Sequence, residues 1–215
     1  MILLATHHRP GDTFVLNSVM SCKRHMPNEE IAILDGSSPS REYHEFVKAA
    51  GAWDFDTRQN GYEAGAWHWA WQNLRDDFFY CLQDSVIVQD DLTKYVKGPV
   101  TVVGRMEDYS GCDDMHKDYI KRVLLDSKYE AAPETFWAVF GNMFFAERWV
   151  LDRVFTSGLE RHLPTNKMES QAWERIWGIV FALEGFNLEQ CGLGLGRELD
   201  RDSVPVRKVP GMRGN

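Results

Sequence analysis

Three short polar segments follow apolar runs of the sequence and carry the side chains most able to do chemistry. They are Thr6-His7-His8-Arg9, Asp35-Gly36-Ser37-Ser38 and Gln83-Asp84-Ser85. A carboxylate such as Asp35 suits hydrogen bonding to a ribose or to the edge of a base, whereas the guanidinium groups of Arg9 and Arg58 suit a diphosphate. These residue types together indicate a binding site for a nucleotide-like ligand.

The elements before these segments predict how the segments are brought together. Strands are expected at Ile2–Ala5, Glu30–Leu34 and Phe78–Leu82. Helices with one apolar face are expected from residue 12 or 13 to Pro27, over Ser40–Ala50 and over Tyr62–Leu74. Alternating strands and helices are typical of an α/β fold with a mainly parallel sheet flanked by helices. The carboxyl ends of such strands meet at one edge, where ligands bind in open α/β sheets.

The second half of the chain continues with shorter strands and longer helices. We expect strands at Val86–Val88 and Val100–Val103, a helical patch over Tyr119–Leu125, an apolar segment over Phe136–Phe145, helices over Glu147–Phe155 and Met168–Leu183, and a loop over Gly158–Asn166. Residues 1–202 are predicted to form one domain, with a nucleotide half (1–103) and an acceptor half (104–202). Residues 203–215 place Arg207, Lys208 and Arg213 among Pro and Gly, which favours a tail or linker.

Composition excludes several classes of function. The 215 residues carry 24 Lys+Arg against 32 Asp+Glu, a net charge of −8, which is unfavourable for wrapping nucleic acid. The 4 Cys are far apart, so free thiols are expected instead of a zinc or redox motif. The sequence shows neither a signal peptide nor a membrane segment, so a soluble, cytoplasmic protein is expected. Neither a GxGxxG after the first strand nor a P-loop motif is present.

The order of the polar segments resembles that of GT-A glycosyltransferases. In that family a first strand and its loop, here Ile2–Arg9, contact the nucleotide, and a second strand ends in a segment similar to Asp35-Gly36-Ser37-Ser38. An Asn-Gly turn and a helix of small residues follow, here Asn60-Gly61 through Gly65-Ala66. A further strand then ends in an acidic triplet that holds a metal ion. Here the triplet is Gln83-Asp84-Ser85, with one carboxylate where the family usually has two or more.

The resemblance implies a GT-A, Rossmann-like fold and transfer of a sugar from a UDP-sugar donor to a glycan acceptor. Within the family, the resemblance is to a viral domain that takes part in the synthesis of a capsid N-glycan. This implies L-rhamnose or glucose as the sugar, a location in the host cytoplasm and further domains after Asn215. It implies Mn²⁺ (or Mg²⁺) held by Asp84. The implied nucleotide-sugar residues are Thr6, His8, Arg9, Asp35, Arg58, Asn60, Gly65, Gln83 and Asp84.

The reaction needs a base only if it inverts the anomeric carbon, and the sequence leaves the stereochemistry open. Glu169 and Glu174, on the predicted Met168–Leu183 helix, are the candidates for that base. Two other classes remain as alternatives. One is a non-catalytic nucleotide- or carbohydrate-binding module, and the other is a sugar nucleotidyltransferase, which the missing Gly-rich, Lys-containing N-terminal loop disfavours.

Aromatic residues make up 13% of the chain, with 8 Trp. Helical spacing places Trp67, Trp71 and Trp177 on core faces. Trp137 and Trp173 lie in the predicted acceptor half, where a sugar could stack on an indole ring. His68, on a different face from Trp67, is a further candidate for the site.

Overall fold

A computed structural model describes residues 1–58, 61–195 and 204–209 of the chain. The helices are α1 (Phe14–His25), α2 (His44–Ala49), α3 (Tyr62–Asn73), α4 (Asp114–Leu125), α5 (Arg148–Phe155) and α6 (Lys167–Leu183). The strands are β1 (Ile2–Thr6), β2 (Ile31–Asp35), β3 (Trp53–Asp56), β4 (Phe78–Gln83), β5 (Val86–Val88), β6 (Val100–Val102), β7 (Arg105–Glu107), β8 (Trp137–Val139), β9 (Phe144–Glu147), β10 (Glu189–Gln190), β11 (Leu193–Leu195) and β12 (Val206–Lys208). Single 3-10 turns lie at Leu92–Tyr95, Phe140–Asn142 and Leu159–His162.

A seven-stranded sheet in the order β10-β6-β9-β4-β1-β2-β3 forms the centre of the fold. Strand β1 pairs in parallel with β2 and with β4, and β2 pairs in parallel with β3. Strand β9 is antiparallel to both β4 and β6. The mainly parallel α/β sheet predicted from the sequence is therefore confirmed.

Both faces of the sheet are covered, as parallel sheets require. Successive side chains of β1 enter opposite cores: Leu3 packs in one, while Ile2 and Leu4 pack in the other. Helices α1 and α2 cover the second core, and helices α3 to α6 cover the first. Because these residues are fully buried, the carboxyl end of β1 is held rigidly at the sheet edge.

Helix α6 packs directly on the backbone of β8. A Cβ atom on Gly178 would lie 1.9 Å from the carbonyl oxygen of Trp137, so only glycine permits this approach. Trp177, fully buried, packs against Phe144 of the central sheet with the ring centroids 4.8 Å apart and the rings tilted by 54°. These contacts fix the middle of helix α6 on the sheet.

Most of the predicted elements are present, with bounds shifted by a few residues, but β3 was not expected. Its sequence, Trp-Asp-Phe-Asp, is short and lacks an apolar run; it forms the edge of the sheet, where Trp53 is 56% exposed and Asp54 is ion-paired with Arg41. Strands β7, β10 and β11 are also absent from the sequence predictions. Helix α4 begins at Asp114, five residues before the predicted patch, with Asp113 accepting from the backbone N–H of His116 at 3.0 Å.

The expected tail forms part of the fold where it is described. Residues 206–208 form β12, which pairs antiparallel with β5 and parallel with β11, and Val206 is fully buried. The remaining residues of the predicted tail, 203 and 210–215, lie outside the described residues. The four cysteines are free thiols, as expected. No described helix is both long and apolar enough to cross a bilayer.

Candidate functional site

A cavity opens at the carboxyl end of β1, where the order of the parallel strands reverses. Strand β1 has β2 on one side and β4 on the other, so the loops after these strands diverge and leave a crevice between them. The cavity has a volume of about 250 Å³. Its walls come from the ends of β1 and β4, the loop after β2, the first turn of α3 and the loop before α6.

Thr6 and Asp84 join the ends of β1 and β4 at this cavity. The backbone N–H of Asp84 donates to the carbonyl of Ala5 at 3.1 Å, which continues the strand pairing by one residue. The hydroxyl of Thr6 donates to Oδ2 of Asp84. Both side chains line the cavity, and they are 5% and 8% exposed. The carboxylate of Asp84 is thus held in one orientation at the cavity wall.

Gln83 and Glu63 form a second polar wall. The side-chain amide of Gln83 donates to Oε1 of Glu63, and Oε2 of Glu63 accepts from the hydroxyl of Ser170 at 3.1 Å. These bonds tie β4, α3 and α6 together. Glu63 lies in the first turn of α3, where the helix dipole favours a negative charge. Glu63 was not among the predicted site residues, although its place in the first turn of a predicted helix after Asn60-Gly61 was a usable signal.

A cation approaches this wall from β12. The ammonium group of Lys208 donates to Oε1 of Gln83 at 2.7 Å and lies 5.2 Å from the centroid of the Phe140 ring. Lys208 was not among the predicted site residues because its segment was interpreted as a tail or linker. The prolines and glycines around residues 205–211 hid the valine-rich strand.

Glu174 lies beside this wall without lining the cavity. Its Oε1 accepts from the backbone N–H of Gly141 at 2.9 Å, and its Oε2 lies 2.8 Å from the guanidinium of Arg175. Burial raises the pKa of the Glu174 carboxyl above its usual value, and Arg175 opposes that shift. The side chain therefore holds the loop after β8 against α6, at a short distance from Gln83.

Glu169 caps the first turn of α6. Asn166 accepts from the backbone N–H of Glu169 at 3.0 Å, and the Glu169 carboxylate accepts from the N–H and the hydroxyl of Thr165 at 2.7 and 2.8 Å. This reciprocal pattern is a capping box, displaced by one residue. Thr165 itself lines the cavity, so Glu169 positions a wall residue.

Asp35 is bonded within its own loop, although it ends β2 as predicted. Its Oδ1 accepts from the backbone N–H of Ser38 at 2.8 Å, and its Oδ2 accepts from the hydroxyl of Tyr43 at 2.6 Å. The guanidinium of Arg41 lies 3.1 Å from the same oxygen. Gly36, the next residue, lines the cavity, whereas the Asp35 side chain does not.

His8 is also directed into this loop. Its backbone N–H donates to the hydroxyl of Ser38 at 2.7 Å, and its buried ring lies edge-on to Tyr43. The ring Nε2 is 3.3 Å from Glu42. The neighbouring His7 is exposed and lines the cavity, so the two adjacent histidines have different surroundings.

The remaining predicted residues are dispersed. Arg9 is exposed, and the side chain of Arg58 is 88% exposed beside Asp56; neither lines the cavity. Gly65 does not line the cavity either. It lies against Gly61, where a Cβ atom would come within 2.7 Å of the Cα of Gly65, so the tight start of α3 needs glycine at position 61. Asn60 lies outside the described residues.

The aromatic residues separate into core and surface. Trp67 and Trp177 are fully buried and Trp71 partly so, as predicted. Trp173 is also fully buried, so no sugar can stack on it. His68 packs against Trp71 and Phe155 rather than lining the cavity.

Trp137 is 40% exposed and borders a second cavity of about 440 Å³, with Glu107, Asp108 and Asn187 among its lining residues. This cavity reaches Ala182 near the end of α6, whereas the first cavity meets Thr165 just before the helix begins. At about 1.5 Å per helical residue, Thr165 and Ala182 lie roughly 25 Å apart, so the two cavities meet opposite ends of α6. Trp137 lines the second cavity, whereas Asp84 lines the first.

No group of three or more His, Cys, Asp or Glu side chains arranged to hold a metal ion occurs in the described parts of the chain. The single carboxylate at the end of β4 still fits a divalent cation that needs few ligands from the protein. Mg²⁺ and similar ions commonly take one or two carboxylates and complete their shell with substrate phosphates and water. Asp84, which lines the cavity, supplies such a carboxylate.

Neither a protein-family model nor a curated protein matches the sequence. Solved structures do match in fold. The galactosyltransferase LgtC, in complex with donor and acceptor sugar analogs, has 13% identity and a TM-score of 0.58, with 98% of this chain and 87% of LgtC covered. GalNAc-T7 with UDP, GalNAc and Mn²⁺ also has 13% identity and a TM-score of 0.58, with 99% of this chain and 44% of that protein covered.

The mannosyltransferase PcManGT from Pyrobaculum calidifontis, in complex with GDP-Man and Mn²⁺, matches with 11% identity and a TM-score of 0.56. This match covers 99% of the chain and 57% of PcManGT. The chain therefore spans about half the length of two of these three proteins. At such low identity the likeness concerns the fold, which is the GT-A fold that the sequence predicted.

Proposed function

We propose that the chain is a glycosyltransferase that moves a sugar from a UDP-sugar to a hydroxyl group of a glycan. One observation carries the proposal: the cavity at the β1–β4 switch point is lined by the Thr6–Asp84 pair, where the fold predicts a ligand. Likeness to solved glycosyltransferases supports the reaction class by analogy of fold.

The layout of the cavity suggests how the donor lies. His7 and Gly36 line the side toward β2, and we assign the nucleoside to that side. Gln83 and Asp84 line the side toward β4, and we assign the diphosphate and sugar to it. Because the first turn of α3 also faces the cavity, its backbone N–H groups add a favourable dipole for the diphosphate.

Transfer breaks the bond between the anomeric carbon and the distal phosphate oxygen, and the electron pair stays on that oxygen. Preorganised polar groups at such a developing charge lower the barrier. Asp84 would hold Mn²⁺ or Mg²⁺ beside the diphosphate, and such an ion when bound neutralises phosphate charge. We retain this ion as part of the proposal, since the resemblance in sequence implies it and Asp84 faces the cavity.

Glu63 is the glutamate best placed to receive the proton of the acceptor hydroxyl, because its carboxylate lines the cavity. Glu174 and Glu169, the bases predicted from the sequence, remain candidates, but neither lines the cavity. Glu174 bonds the loop at Gly141, and Glu169 caps the helix that bears Ser170. L-rhamnose or glucose remains the proposed sugar on the resemblance in sequence alone.

The test is release of UDP from UDP-glucose and UDP-L-rhamnose in the presence of Mn²⁺, with and without glycan acceptors. We expect the wild type to release UDP and Asp84→Asn to lose this activity. Asp118→Asn, a change of the same kind at an exposed position of α4, should keep it. Tight UDP binding without turnover would favour the non-catalytic module, whereas neither binding nor turnover would contradict the proposal.

A further inference from the structure

The two-stranded sheet of β7 and β8 places Trp137 directly opposite Glu107. Side chains at opposed positions of an antiparallel pair share one face of the sheet, with Cβ atoms about 4.5–5.5 Å apart. The adjacent residues Met106 and Ala138 point the other way and pack in the first core. Trp137 and Glu107 therefore share the outer face, where the Trp137 side chain is 40% exposed.

Arg105, on the same face as Glu107, holds the Trp137 ring in place. Its guanidinium carbon lies 4.2 Å from the centroid of the ring, and its Nη1 donates to the carbonyl of Leu188 at 3.1 Å. The backbone of Trp137 is held as well, because its carbonyl oxygen lies against Gly178 of α6. A ring that is already ordered in this way loses little conformational freedom when a ligand contacts it, which favours binding.

The second cavity, of about 440 Å³, is bordered by this ring. Its volume falls within the range of about 300–1,000 Å³ that is usual for small-molecule sites. Phe136 and Leu188, which are 7% and 6% exposed, line it with apolar surface, and Arg105 bonds β7 to the segment after α6 that forms the other wall. The polar lining residues are Glu107, Asp108, Thr135 and Asn187.

This combination of surfaces matches the two kinds of surface on a pyranose ring. One face of such a sugar presents C–H groups, whose small positive charge is attracted by the negative face of an aromatic ring. Hydroxyl groups surround the ring and need both acceptors and donors. The carboxylates of Glu107 and Asp108 accept hydrogen bonds, and the amide of Asn187 both accepts and donates them.

The charges at the cavity favour a ligand without charge. An anionic ligand would be repelled by Glu107 and Asp108, and no Lys or Arg within residues 1–58, 61–195 and 204–209 lines the cavity. A cationic ligand would compete with Arg105, whose guanidinium already lies over the indole ring. A neutral sugar meets neither disadvantage.

We propose that the second cavity is a carbohydrate-binding site for an uncharged pyranose unit of a glycan. One face of the sugar packs on the Trp137 ring, and the sugar hydroxyls bond Glu107, Asp108 and Asn187. The proposal goes beyond the proposed function, because this cavity meets the end of α6 opposite the donor cavity and takes no part in the transfer. It needs no nucleotide and therefore does not depend on the proposed function.

Chemical-shift mapping of the wild type tests the site directly. The probes are methyl β-D-glucopyranoside and methyl α-L-rhamnopyranoside, each titrated to its solubility limit. We expect at least one of them to give saturable shifts at the indole N–H of Trp137 and the amides of Glu107 and Asn187, with no shift at Thr6 or Asp84. The absence of saturable shifts at the second cavity with both glycosides would overturn the proposal.

Two tryptophan variants show whether the indole ring carries the binding. We expect Trp137→Ala to weaken binding of the glycoside by at least about 10-fold, as for truncation of an aromatic anchor, and Trp137→Phe to retain part of the affinity. Trp53→Ala is the matched control, because Trp53 is 56% exposed and lines neither cavity. It should stay within about twofold of the wild type. Equal affinity of the wild type and Trp137→Ala would contradict the proposal.

A titration with tetralysine distinguishes a sugar from a basic peptide as the occupant. We expect no saturable shift at the second cavity with this probe. Tighter binding of tetralysine than of either glycoside at the same amides would overturn the proposal in favour of a peptide. Failure of the wild type to bind UDP would overturn the proposed function alone and leave this site intact.

Discussion

Asp35 and Asp84 occupy equivalent places in the sequence, each at the end of an apolar strand, yet their surroundings differ. Asp35 is 1% exposed and is bonded by Ser38, Tyr43 and Arg41 of its own loop. Asp84 is bonded across the sheet to Thr6 and lines the cavity. The end of β2 thus uses its carboxylate to build a loop, whereas the end of β4 presents its carboxylate to a ligand.

The different surroundings of Asp35 and Asp84 follow from the strands that lie beside β2 and β4. Strand β4 borders β1 at the switch point, where the loops diverge and a crevice forms. Strand β2 lies between β1 and β3, so the loop after β2 folds back through Arg41, which also binds Asp54 at 2.7 Å. A carboxylate at a strand end is therefore available for chemistry only where the sheet leaves room beside it.

The largest expected effect is that of Asp84→Asn on turnover. Asparagine keeps the shape and can still accept the Thr6 hydrogen bond, but it removes the charge at the cavity wall. We expect kcat for the UDP-sugar to fall by about 10²- to 10³-fold, as for loss of one preorganised electrostatic group. The melting temperature should change little. Turnover within about threefold of the wild type would show that Asp84 is as structural as Asp35.

Asp35→Asn is expected to act on stability instead. The substitution removes one of the two close charged partners of Arg41, which keeps Asp54, and weakens the bond from Tyr43, so we expect a loss of about 1–3 kcal/mol in the free energy of unfolding. Urea denaturation measures this loss. Tyr43→Phe, which removes one of the same bonds, should show a smaller loss. A fall in kcat of Asp35→Asn at a temperature where the variant is fully folded would contradict the division between the two strand ends.

Sequence patterns predicted the strand ends but not how each side chain is used. The apolar runs before Asp35 and Asp84 were strong signals for buried parallel strands, and both strands are present. The partners of Asp35, namely Tyr43 and Arg41, come from a later turn whose path no periodicity describes. Lys208 depends on a pairing between residues more than 100 positions apart, and only tertiary structure reveals it.

Glu169→Gln, like Asp35→Asn, should lower the stability of the fold rather than kcat, and the loss of stability should be smaller. Glutamine can still accept one bond from Thr165, so the helix cap is weakened rather than lost. We expect a loss of about 0.5–1 kcal/mol in the free energy of unfolding and a kcat close to that of the wild type. Glu63→Gln is the matched variant at the cavity wall and should lower kcat. A larger loss of kcat in Glu169→Gln than in Glu63→Gln would favour Glu169 over Glu63 as the base.

The smallest effect concerns His68 and pH. Burial lowers the pKa of His68 below its usual value of 6.5, although Glu160 opposes the shift. The neutral ring therefore contributes stability that is present above about pH 6.5 and is lost as pH falls through the lower pKa of the folded protein. We expect His68→Phe to lose less stability than the wild type between about pH 7.5 and pH 5, by at most about 1 kcal/mol. Identical pH dependence of the two melting temperatures would contradict this assignment.

The tryptophan residues also show that sequence patterns predict the elements better than the surroundings of each side chain. Helical spacing placed Trp67 and Trp177 in the core, and both are fully buried. The expectation that Trp173 could stack on a sugar was wrong because the helix face bearing it is covered, and its indole N–H donates to the carbonyl of His162 at 2.9 Å. Spacing identifies a shared face of a helix, whereas burial depends on what packs against that face.

Amide chemical-shift mapping with UDP tests the central claim most directly, because the two cavities lie at opposite ends of α6. We expect shifts that saturate with UDP and concentrate at Thr6, His7, Gly36 and Asp84. Shifts concentrated around Trp137 and Asn187, or no saturable shifts, would contradict it.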